Sequence, residues 1–412
     1  MPIIIKSTNV GYAEKALHSL EVRTCIRFAD HRITECLGLA VAKLVATLTV
    51  CASAMIATPA FSAQMVVGMV GPMSGREASQ GRAYAAGMQL HFNELNQAGG
   101  INGHKFTLLR KDDGGRPEDT VALTRELLAD KPLVLAGYFG SKNIADLVSA
   151  GVLAKEELAL VGYRTSEIQS ENPYLYSVRA GPREEVTKLT EHLGIVGITR
   201  IGLLYEEGTG STSLVAAAED AAKKAKAVIV ARASYAANTV NVTNAVNVFI
   251  KNSPQAIIVF ASGAATAGFI EQYRLAGGTA QLLAHSGADI EQISNRLSAE
   301  QMQGVAIAQV TPSPYKLSNL LVKEFTESVA KAQALDAPVS YAMIEGYIAA
   351  RVIAEAVRRQ GSHPTRKGMV AALDGMGSFD LGGYLISFRP SQRVGSKFVE
   401  LSIVSSAGKI RQ

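Results

Sequence analysis

The sequence predicts an α/β protein built from two doubly wound lobes, and three observations lead to this prediction. Short apolar runs alternate with amphipathic helical segments along most of the chain after residue 64. The runs are apolar throughout, which is typical of parallel strands that are buried on both faces. The alternation occurs twice, over about 64–180 and 184–310, and a chain of this length exceeds what a single core usually serves.

Individual elements follow from these two periodicities. Continuous apolar runs predict strands at 65–70, 105–113, 132–139, 158–162, 200–206, 256–262, 281–287 and 304–310. Apolar residues at helical spacing predict helices at 78–98, 117–131, 211–227, 243–252, 264–277, 319–335 and 340–361. The chain ends with strand-like segments at 382–388 and 397–404.

Two proline-containing segments, 174–185 and 309–316, are predicted to be extended crossovers between the lobes because proline fixes the backbone path. Lobe 1 is expected to comprise 64–181 and 313–380. Lobe 2 is expected to comprise 182–312 and 381–412. The hinge is expected at Arg179, Gly181, Pro182, Val310 and Pro312.

Residues 1–63 have the pattern of a signal region rather than of a folded domain. An apolar run at 44–57 follows Lys43 and precedes small residues up to Ala63. The run is shorter than the ~20 apolar residues that a spanning helix needs. We expect translation to begin at Val41, a signal peptide over 41–63, and cleavage after Ala63, with cleavage after Ser62 as the alternative. All three cysteines precede residue 63, so the exported chain has no disulfide, and a periplasmic location is expected.

Composition and motifs argue against several function classes. The formal net charge is only +5, and no dense stripe of Lys and Arg occurs, so nucleic-acid binding is not indicated. We find no phosphate-binding glycine motif, no nucleophile elbow and no histidine pair at metal-ligand spacing. His285 follows a predicted strand, and as a lone residue it is expected to be structural or ligand-lining. The sequence predicts no enzyme, no cofactor and no metal.

Polar loops follow the predicted strands of the first unit and precede helices. In a doubly wound fold such loops meet at the carboxyl ends of the strands, where ligands bind. Converging backbone N–H groups and hydroxyls there suit a small carboxylate, and a cationic side chain would add a charge-assisted pair. The candidate ligand-binding residues in these loops are Ser74, Phe139, Gly140, Ser141, Lys142, Asn143, Tyr163, Arg164 and Thr165.

Three stretches of the chain carry a resemblance to a known family. The stretch from "GMVGPMSG" through "NELNQAGGINGHKF" to "TRELL", the stretch "QGVAIAQVTPSPYKLSNLLVKEF" and the stretch "SYAMIEGYIAARVIAEAVRR" resemble type I periplasmic binding proteins of the branched-chain amino-acid (leucine/isoleucine/valine) class. The resemblance covers nearly all of the chain after the signal region. It implies two Rossmann-like lobes joined by three crossovers, a small ligand between them, and an ABC transporter permease as partner. A monomer is expected.

The resemblance also implies sites. The family's ligand meets the loops that here span 140–143 and 163–165. A second-lobe contact falls at Thr209, an acidic contact to an amino group falls nearest Asp289, and Gln80 stands where an aromatic residue often covers the ligand. Lys142 and Arg164 stand where small neutral residues are common, which favours a more acidic or less hydrophobic ligand, including one without an amino group.

The expected function is therefore capture of a small amino acid or related carboxylate by closure of two lobes, followed by delivery to a permease. A periplasmic sensing subunit with the same fold is the alternative, because fold alone does not separate transport from signalling. Neighbouring permease and ATPase genes would favour transport, and a kinase gene would favour sensing. A hydrolase or transferase on a doubly wound fold is a further alternative, which the missing catalytic motifs disfavour.

Overall fold

The structure is a computed structural model that describes residues 64–169, 171–405 and 410–411. The predicted signal region lies outside these residues. The described chain contains one parallel and one mainly parallel sheet with helices on both faces, which confirms the predicted fold class. None of the helices in the described ranges is both long and apolar enough to cross a membrane.

The first lobe is built on a five-stranded parallel sheet with the strand order β2-β1-β3-β4-β5. Its strands are β1 Gln64–Gly71, β2 Lys105–Asp112, β3 Val134–Ala136, β4 Leu160–Val161 and β5 Leu175–Tyr176. Its N-terminal helices are α1 Ala78–Gln97, α2 Pro117–Leu127, α3 Ser141–Ser149 and α4 Val152–Lys155. The helices form a separate apolar core on each face of the sheet.

The second lobe is built on a seven-stranded sheet with the order β14-β13-β10-β9-β8-β6-β7. Its strands are β6 Arg200–Glu206, β7 Val228–Tyr235, β8 Ala256–Phe260, β9 Gln281–Ala284, β10 Ala306–Gln309, β13 Glu400–Val404 and β14 Ile410–Arg411. Its helices are α5 Pro182–Ile195, α6 Ser211–Lys224, α7 Thr243–Asn252, α8 Gly263–Leu275, α9 Ile290–Ser294 and α10 Ala299–Met302. The last two strands pair antiparallel and close one edge.

The chain then returns to the first lobe. This part contains α11 Leu320–Lys331, α12 Tyr341–Gln360, α13 Arg366–Asp374 and a hairpin of β11 Gly377–Asp380 with β12 Leu385–Phe388. The sequence predicted a strand at the second arm of this hairpin but gave no sign of its partner. Tyr384, Ile386 and Phe388 pack into the first lobe's core, although the expected boundary assigned them to lobe 2. We therefore propose that the boundary falls after Phe388.

Three chain crossovers lie side by side between the lobes. The segment after β5 pairs with the segment before β13 through Ser177, whose backbone N–H donates to Arg393 O at 2.8 Å. The hydroxyl of Tyr384 lies 2.9 Å from Val178 O and 2.8 Å from Val310 O, so it joins the first two crossovers. The predicted crossover at 174–185 ends earlier than expected, because Pro182 occupies the first turn of α5, where its missing N–H costs nothing.

Helices α1 and α12 approach each other closely at two glycines. A Cβ atom on Gly87 would overlap the carbonyl oxygen of Met343, and one on Gly346 would overlap the carbonyl oxygen of Tyr84. These atoms belong to helix backbones, so the overlap is relieved only if one helix moves away from the other. The two glycines therefore fix the spacing of the helices that cover one face of the first sheet.

We predict that Gly87→Ala lowers the free energy of unfolding by about 1–3 kcal/mol, because it overpacks this helix contact. Urea unfolding at neutral pH measures the change. Gly268→Ala is the matched control, since Gly268 lies in α8 with an open position for a Cβ. The control is expected to be neutral or slightly stabilising, because alanine is the better helix former. Equal effects of the two substitutions would contradict the role of Gly87.

Candidate functional site

A recess lies between the lobes, where the carboxyl ends of the strands of both sheets face each other. Its central part has a volume of about 80 Å³, and an adjoining outer part has a volume of about 340 Å³. The central recess is lined by Glu77, Gln80, Phe139, Gly140, Ser141, Arg164, Thr165, Ser166, Glu206, Ser262, His285 and Gly287. Both lobes contribute to this lining.

The lobes are closed on each other, because side chains of one lobe bond directly to the other. Gln80 Nε2 donates to Gln292 Oε1 at 2.8 Å. Glu77 Oε1 accepts a hydrogen bond from the backbone N–H of Ala264 at 3.2 Å. Arg296 donates to the carbonyl oxygen of Arg76 at 2.9 Å. These bonds hold the helix that follows β1 against the helices of the second lobe.

Glu206 makes the corresponding contact on the other side of the central recess. It is the last residue of β6, and its Oε2 accepts from the Ser166 hydroxyl at 2.8 Å and from the Ser141 hydroxyl at 3.4 Å. Its Oε1 accepts from the backbone N–H of Asn238 at 3.3 Å. The carboxylate of this second-lobe residue thus accepts hydrogen bonds from the hydroxyls of two first-lobe loops.

Arg164 forms part of the wall of the central recess and is 6 % exposed. Its Nη1 donates to Gln80 Oε1 at 2.5 Å, and its guanidinium lies 5.4 Å from the centre of the Phe139 ring. Its Nε lies 3.5 Å from Glu345 Oε2 but forms no hydrogen bond with any residue in the described ranges. The guanidinium is therefore held in place by Gln80, the Phe139 ring and the Glu345 carboxylate.

Arg164 belongs to a buried charge cluster that also contains Arg179, Glu185 and Glu345. Arg179 lies 3.3 Å from both Glu345 and Glu185, and Glu185 accepts a hydrogen bond from the backbone N–H of Ser286 at 2.6 Å. Burial by itself lowers the pKa of Arg179, but the two carboxylates raise it above its ordinary value. The cluster connects the recess, through a crossover residue, to the second-lobe loop that carries His285.

His285 lies beneath that loop with both ring nitrogens in use. Its Nε2 is 2.9 Å from Ala261 O, its Nδ1 accepts from the backbone N–H of Gly287 at 3.3 Å, and its ring stacks on Phe260. Burial lowers the pKa of His285 to about 3, so the ring is neutral at physiological pH. The sequence predicts a structural or ligand-lining role for His285. The geometry is compatible with both roles, because the buried ring also lines the recess.

The structure brings many of the expected residues together. Gln80, Phe139, Gly140, Ser141, Arg164 and Thr165 line the central recess. Asn143 lines the outer recess, but its amide is committed to Thr120 Oγ1 at 2.7 Å and so ties α3 to α2. The Thr165 hydroxyl lies 3.1 Å from Ser141 Oγ, which places the hydroxyls of two successive loops at one spot.

Other expected residues lie away from the recess, because a local interaction directs each side chain elsewhere. Lys142 is the second residue of α3 and points outward to an ion pair with Asp146 at 2.8 Å. Asp289 caps α9 by accepting from the backbone N–H of Gln292 at 2.8 Å, so its carboxylate is not part of the recess wall. The acidic side chains that do line the recess are Glu77 and Glu206.

The remaining expected residues divide between surface and core. Ser74 and Thr209 are exposed in their loops. Tyr163 is packed in the first lobe's second core, because the alternation of the strand-end backbone turns its side chain to the side opposite Arg164. Among the expected hinge residues, Arg179 is held in the charge cluster and Gly181 caps α5.

Sequence reasoning missed Glu77, Ser166, Glu206 and Ser262 as recess residues. Their position in the chain could have identified two of them. Glu206 ends a strand and Ser262 follows one, and ligands of doubly wound sheets bind at the carboxyl ends of strands. Glu77 immediately precedes the N-terminus of α1 in the first loop. No group of three or more His, Cys, Asp or Glu residues placed to hold a metal occurs in the described ranges.

Comparison with known proteins identifies the class to which this fold and recess belong. The sequence model of the periplasmic binding protein family matches residues 64–401, and the chain belongs to this family. A substrate-binding periplasmic protein from Ralstonia solanacearum is 36% identical and superimposes with a TM-score of 0.77, over 84% of this chain and 99% of that one.

One further sequence relative and one solved structure are also similar to this chain. The Leu/Ile/Val-binding protein homolog 8 of Brucella abortus (strain 2308) is 26% identical, over 83% of this chain and 88% of that protein. A solute binding protein of an ABC transporter from R. palustris, solved in complex with benzoate, shares the fold with a TM-score of 0.70 at 18% identity, over 84% of this chain and 95% of that one. The family model, the Ralstonia solanacearum structure and the Brucella abortus relative confirm the resemblance seen in the sequence.

Proposed function

We propose that this chain is the periplasmic substrate-binding component of an ABC importer, which captures a small amino acid or related carboxylate between its two lobes and delivers it to a permease. The observation that carries the proposal is the closed recess, whose wall joins the Arg164 guanidinium to the hydroxyls of Ser141 and Thr165. Such donors suit a carboxylate group. The Leu/Ile/Val-binding relative and the benzoate complex are consistent with a small carboxylate ligand.

The proposed cycle is closure of the lobes about the three crossovers. Ligand enters while the lobes are apart, and closure removes water from the recess, which strengthens the polar contacts inside it. The closed, loaded form is the one that we expect the permease to recognise. Export to the periplasm after cleavage of the 41–63 signal peptide is part of the same proposal, and that segment lies outside the described residues.

The proposal is tested by calorimetry with a panel of amino acids and small carboxylates, after a thermal-shift screen for stabilising compounds. We predict that Arg164→Ala weakens binding of the best ligand by about 1.5–3 kcal/mol, because a charge-assisted hydrogen bond is lost. Arg164→Lys keeps the charge but not the planar fork, and it is expected to recover only part of the loss.

Lys142→Ala is the matched control for this series, since Lys142 follows Ser141 in the first turn of α3 and its side chain points to solvent. Its dissociation constant is expected to equal that of the unmodified protein. An unchanged dissociation constant for Arg164→Ala would refute the role of Arg164. Failure of every compound in the panel to bind would refute the proposed ligand class.

A further inference from the structure

A further contact between the lobes lies beside the central recess, at the turn that follows β6. This turn spans 207–210 and leads into α6. The resemblance placed a ligand contact here at Thr209, but Thr209 is exposed, and the turn receives the first-lobe side chain of Glu167. Glu167 is 2 % exposed and lies outside the lining of the central recess. The turn therefore takes part in the meeting of the lobes rather than in the recess wall.

Glu167 supplies a hydrogen-bond acceptor to the N-terminus of α6 from the other lobe. Its Oε2 accepts from the backbone N–H of Gly210, the N-cap residue of α6, at 2.8 Å. Many helices obtain this acceptor from a Glu or Gln at their own third position, but α6 has Ser213 there. Helix α6 thus takes from the first lobe an acceptor that its own sequence lacks.

The turn accommodates Glu167 because two of its residues are glycines. A Cβ atom on Gly208 would overlap the Glu167 carboxylate, and one on Gly210 would lie 2.5 Å from the carbonyl oxygen of Ile168. Neither glycine has a positive φ, so the backbone of the turn would accept alanine at both positions. The requirement for glycine therefore comes from the first lobe, and it exists only while the lobes are closed.

The contact is joined to the recess wall through Thr165. The backbone N–H of Glu167 donates to Thr165 Oγ1 at 3.0 Å, and Thr165 lines the central recess. Burial raises the pKa of Glu167 and Glu206 acts in the same direction, whereas the Gly210 N–H and the Thr209 hydroxyl act against them. The turn thus holds Glu167 as a hydrogen-bond acceptor, and the negative charge is a cost of docking rather than its cause.

We propose that Glu167, Gly208 and Gly210 form a closure latch, which sets how far the lobes close and holds them together without touching the ligand. Glu167 is a positioning residue in this role, because it acts on the recess through the closed arrangement of the lobes. The inference rests on the closure step of the proposed function. It requires an acceptor at position 167 and no Cβ atom at position 210.

The test measures closure directly, in the absence of any ligand. Arg76 and Arg296 are exposed and meet across the mouth of the recess, where Arg296 donates to the carbonyl oxygen of Arg76 at 2.9 Å. Arg76→Cys and Arg296→Cys are introduced together as the background, and a short bismaleimide links the two thiols when the lobes close. All native cysteines precede residue 63, so the protein purified from the periplasm after signal cleavage carries only these two. The crosslinking rate reports the closed population.

Gly210→Ala is expected to lower the crosslinking rate at least about fivefold, because its Cβ atom meets first-lobe backbone on closure. Glu167→Ala is expected to lower the rate by a similar factor, because closure then buries an unpaired N–H group. Glu167→Gln keeps an acceptor for that N–H and is expected to stay within about twofold of the background. Rescue by glutamine separates a docking role from a general effect on the fold.

Gly268→Ala and Glu207→Ala are the matched controls, and both are expected to keep the background rate. Gly268 has an open position for a Cβ atom, and Glu207 is exposed in the same turn, where its carboxylate accepts from the Ser234 hydroxyl at 2.7 Å. Thermal unfolding identifies any variant that loses its fold, and if Gly210→Ala does so, the two Glu167 variants decide.

An unchanged rate in a folded Gly210→Ala protein, or equal rates for Glu167→Ala and Glu167→Gln, would overturn the latch and leave the proposed function intact. Absence of crosslinking in the background itself would contradict closure and overturn both.

Discussion

Glu345→Gln is expected to lower the free energy of unfolding by about 3–5 kcal/mol, because it removes one partner from a buried ion cluster. Glu345 is 1 % exposed, and its carboxylate lies 3.3 Å from Arg179 and 3.5 Å from Arg164. After the substitution Arg179 keeps only Glu185 as an anionic partner, and Arg164 loses the carboxylate with which it pairs in the described ranges. The loss is large relative to the total stability of about 5–15 kcal/mol that is usual for a folded protein.

The measurement is urea unfolding at neutral pH, followed by a signal from each lobe. Glu355→Gln in the same helix is the control, because Glu355 pairs at 2.8 Å with Arg358, which is largely exposed, and at 2.7 Å with Arg359. Ion pairs near the surface contribute about 0–1 kcal/mol. A loss below about 1 kcal/mol for Glu345→Gln, or equal losses for the two variants, would argue against the cluster as a major source of stability.

Acid is expected to destabilise the closed protein through His285. The ordinary pKa of histidine is 6.5, and burial lowers that of His285 to about 3. The unfolded chain therefore binds a proton below pH 6.5 that the folded protein does not bind until about pH 3. Stability is fully present above pH 6.5 and is lost as the pH falls, by about 1.4 kcal/mol per pH unit from this group.

Between pH 6.5 and pH 4.5 this group alone is expected to remove about 2–3 kcal/mol. His285→Gln cannot gain the proton, so its stability should fall less steeply over the same range. His363→Gln is the control, since His363 is exposed, and it should leave the slope unchanged. Urea unfolding midpoints at several pH values measure the slopes. If His285→Gln and the unmodified protein had parallel profiles, the buried neutral state of His285 would be contradicted.

The fold was largely predictable from the sequence because local chemistry dictates it. The apolar run that became β8 is buried along its whole length, as its uniform composition requires. Strand β7 was missed because Arg232 and Ser234 interrupt its apolar run, which an edge strand with uneven burial tolerates. The β11–β12 hairpin was missed in part, because its first arm, "GSFD", has too few β-prone residues to register as a strand.

The candidate site was only partly predictable, because its parts are far apart in the chain. Position after a strand pointed to Ser141, Arg164 and Thr165, and the structure brings these to one recess. The same rule could not tell that Lys142 turns outward, since the turn of α3 sets that direction. Asp289 was expected to face an amino group, yet its carboxylate caps a helix, and Glu206 faces the recess instead.

The sequence by itself determined the two parallel-sheet lobes, the polar loops at their strand ends and the family. These depend on periodicity and composition, which act over a few residues. Only the tertiary structure decided which charges meet. Arg164, Arg179, Glu185 and Glu345 come from four segments of the chain, and their pairing depends on crossovers that bring both lobes together. The position of the Arg164 guanidinium in the recess wall follows from that pairing, because a buried charge is stable only where groups of opposite charge and hydrogen-bond acceptors surround it.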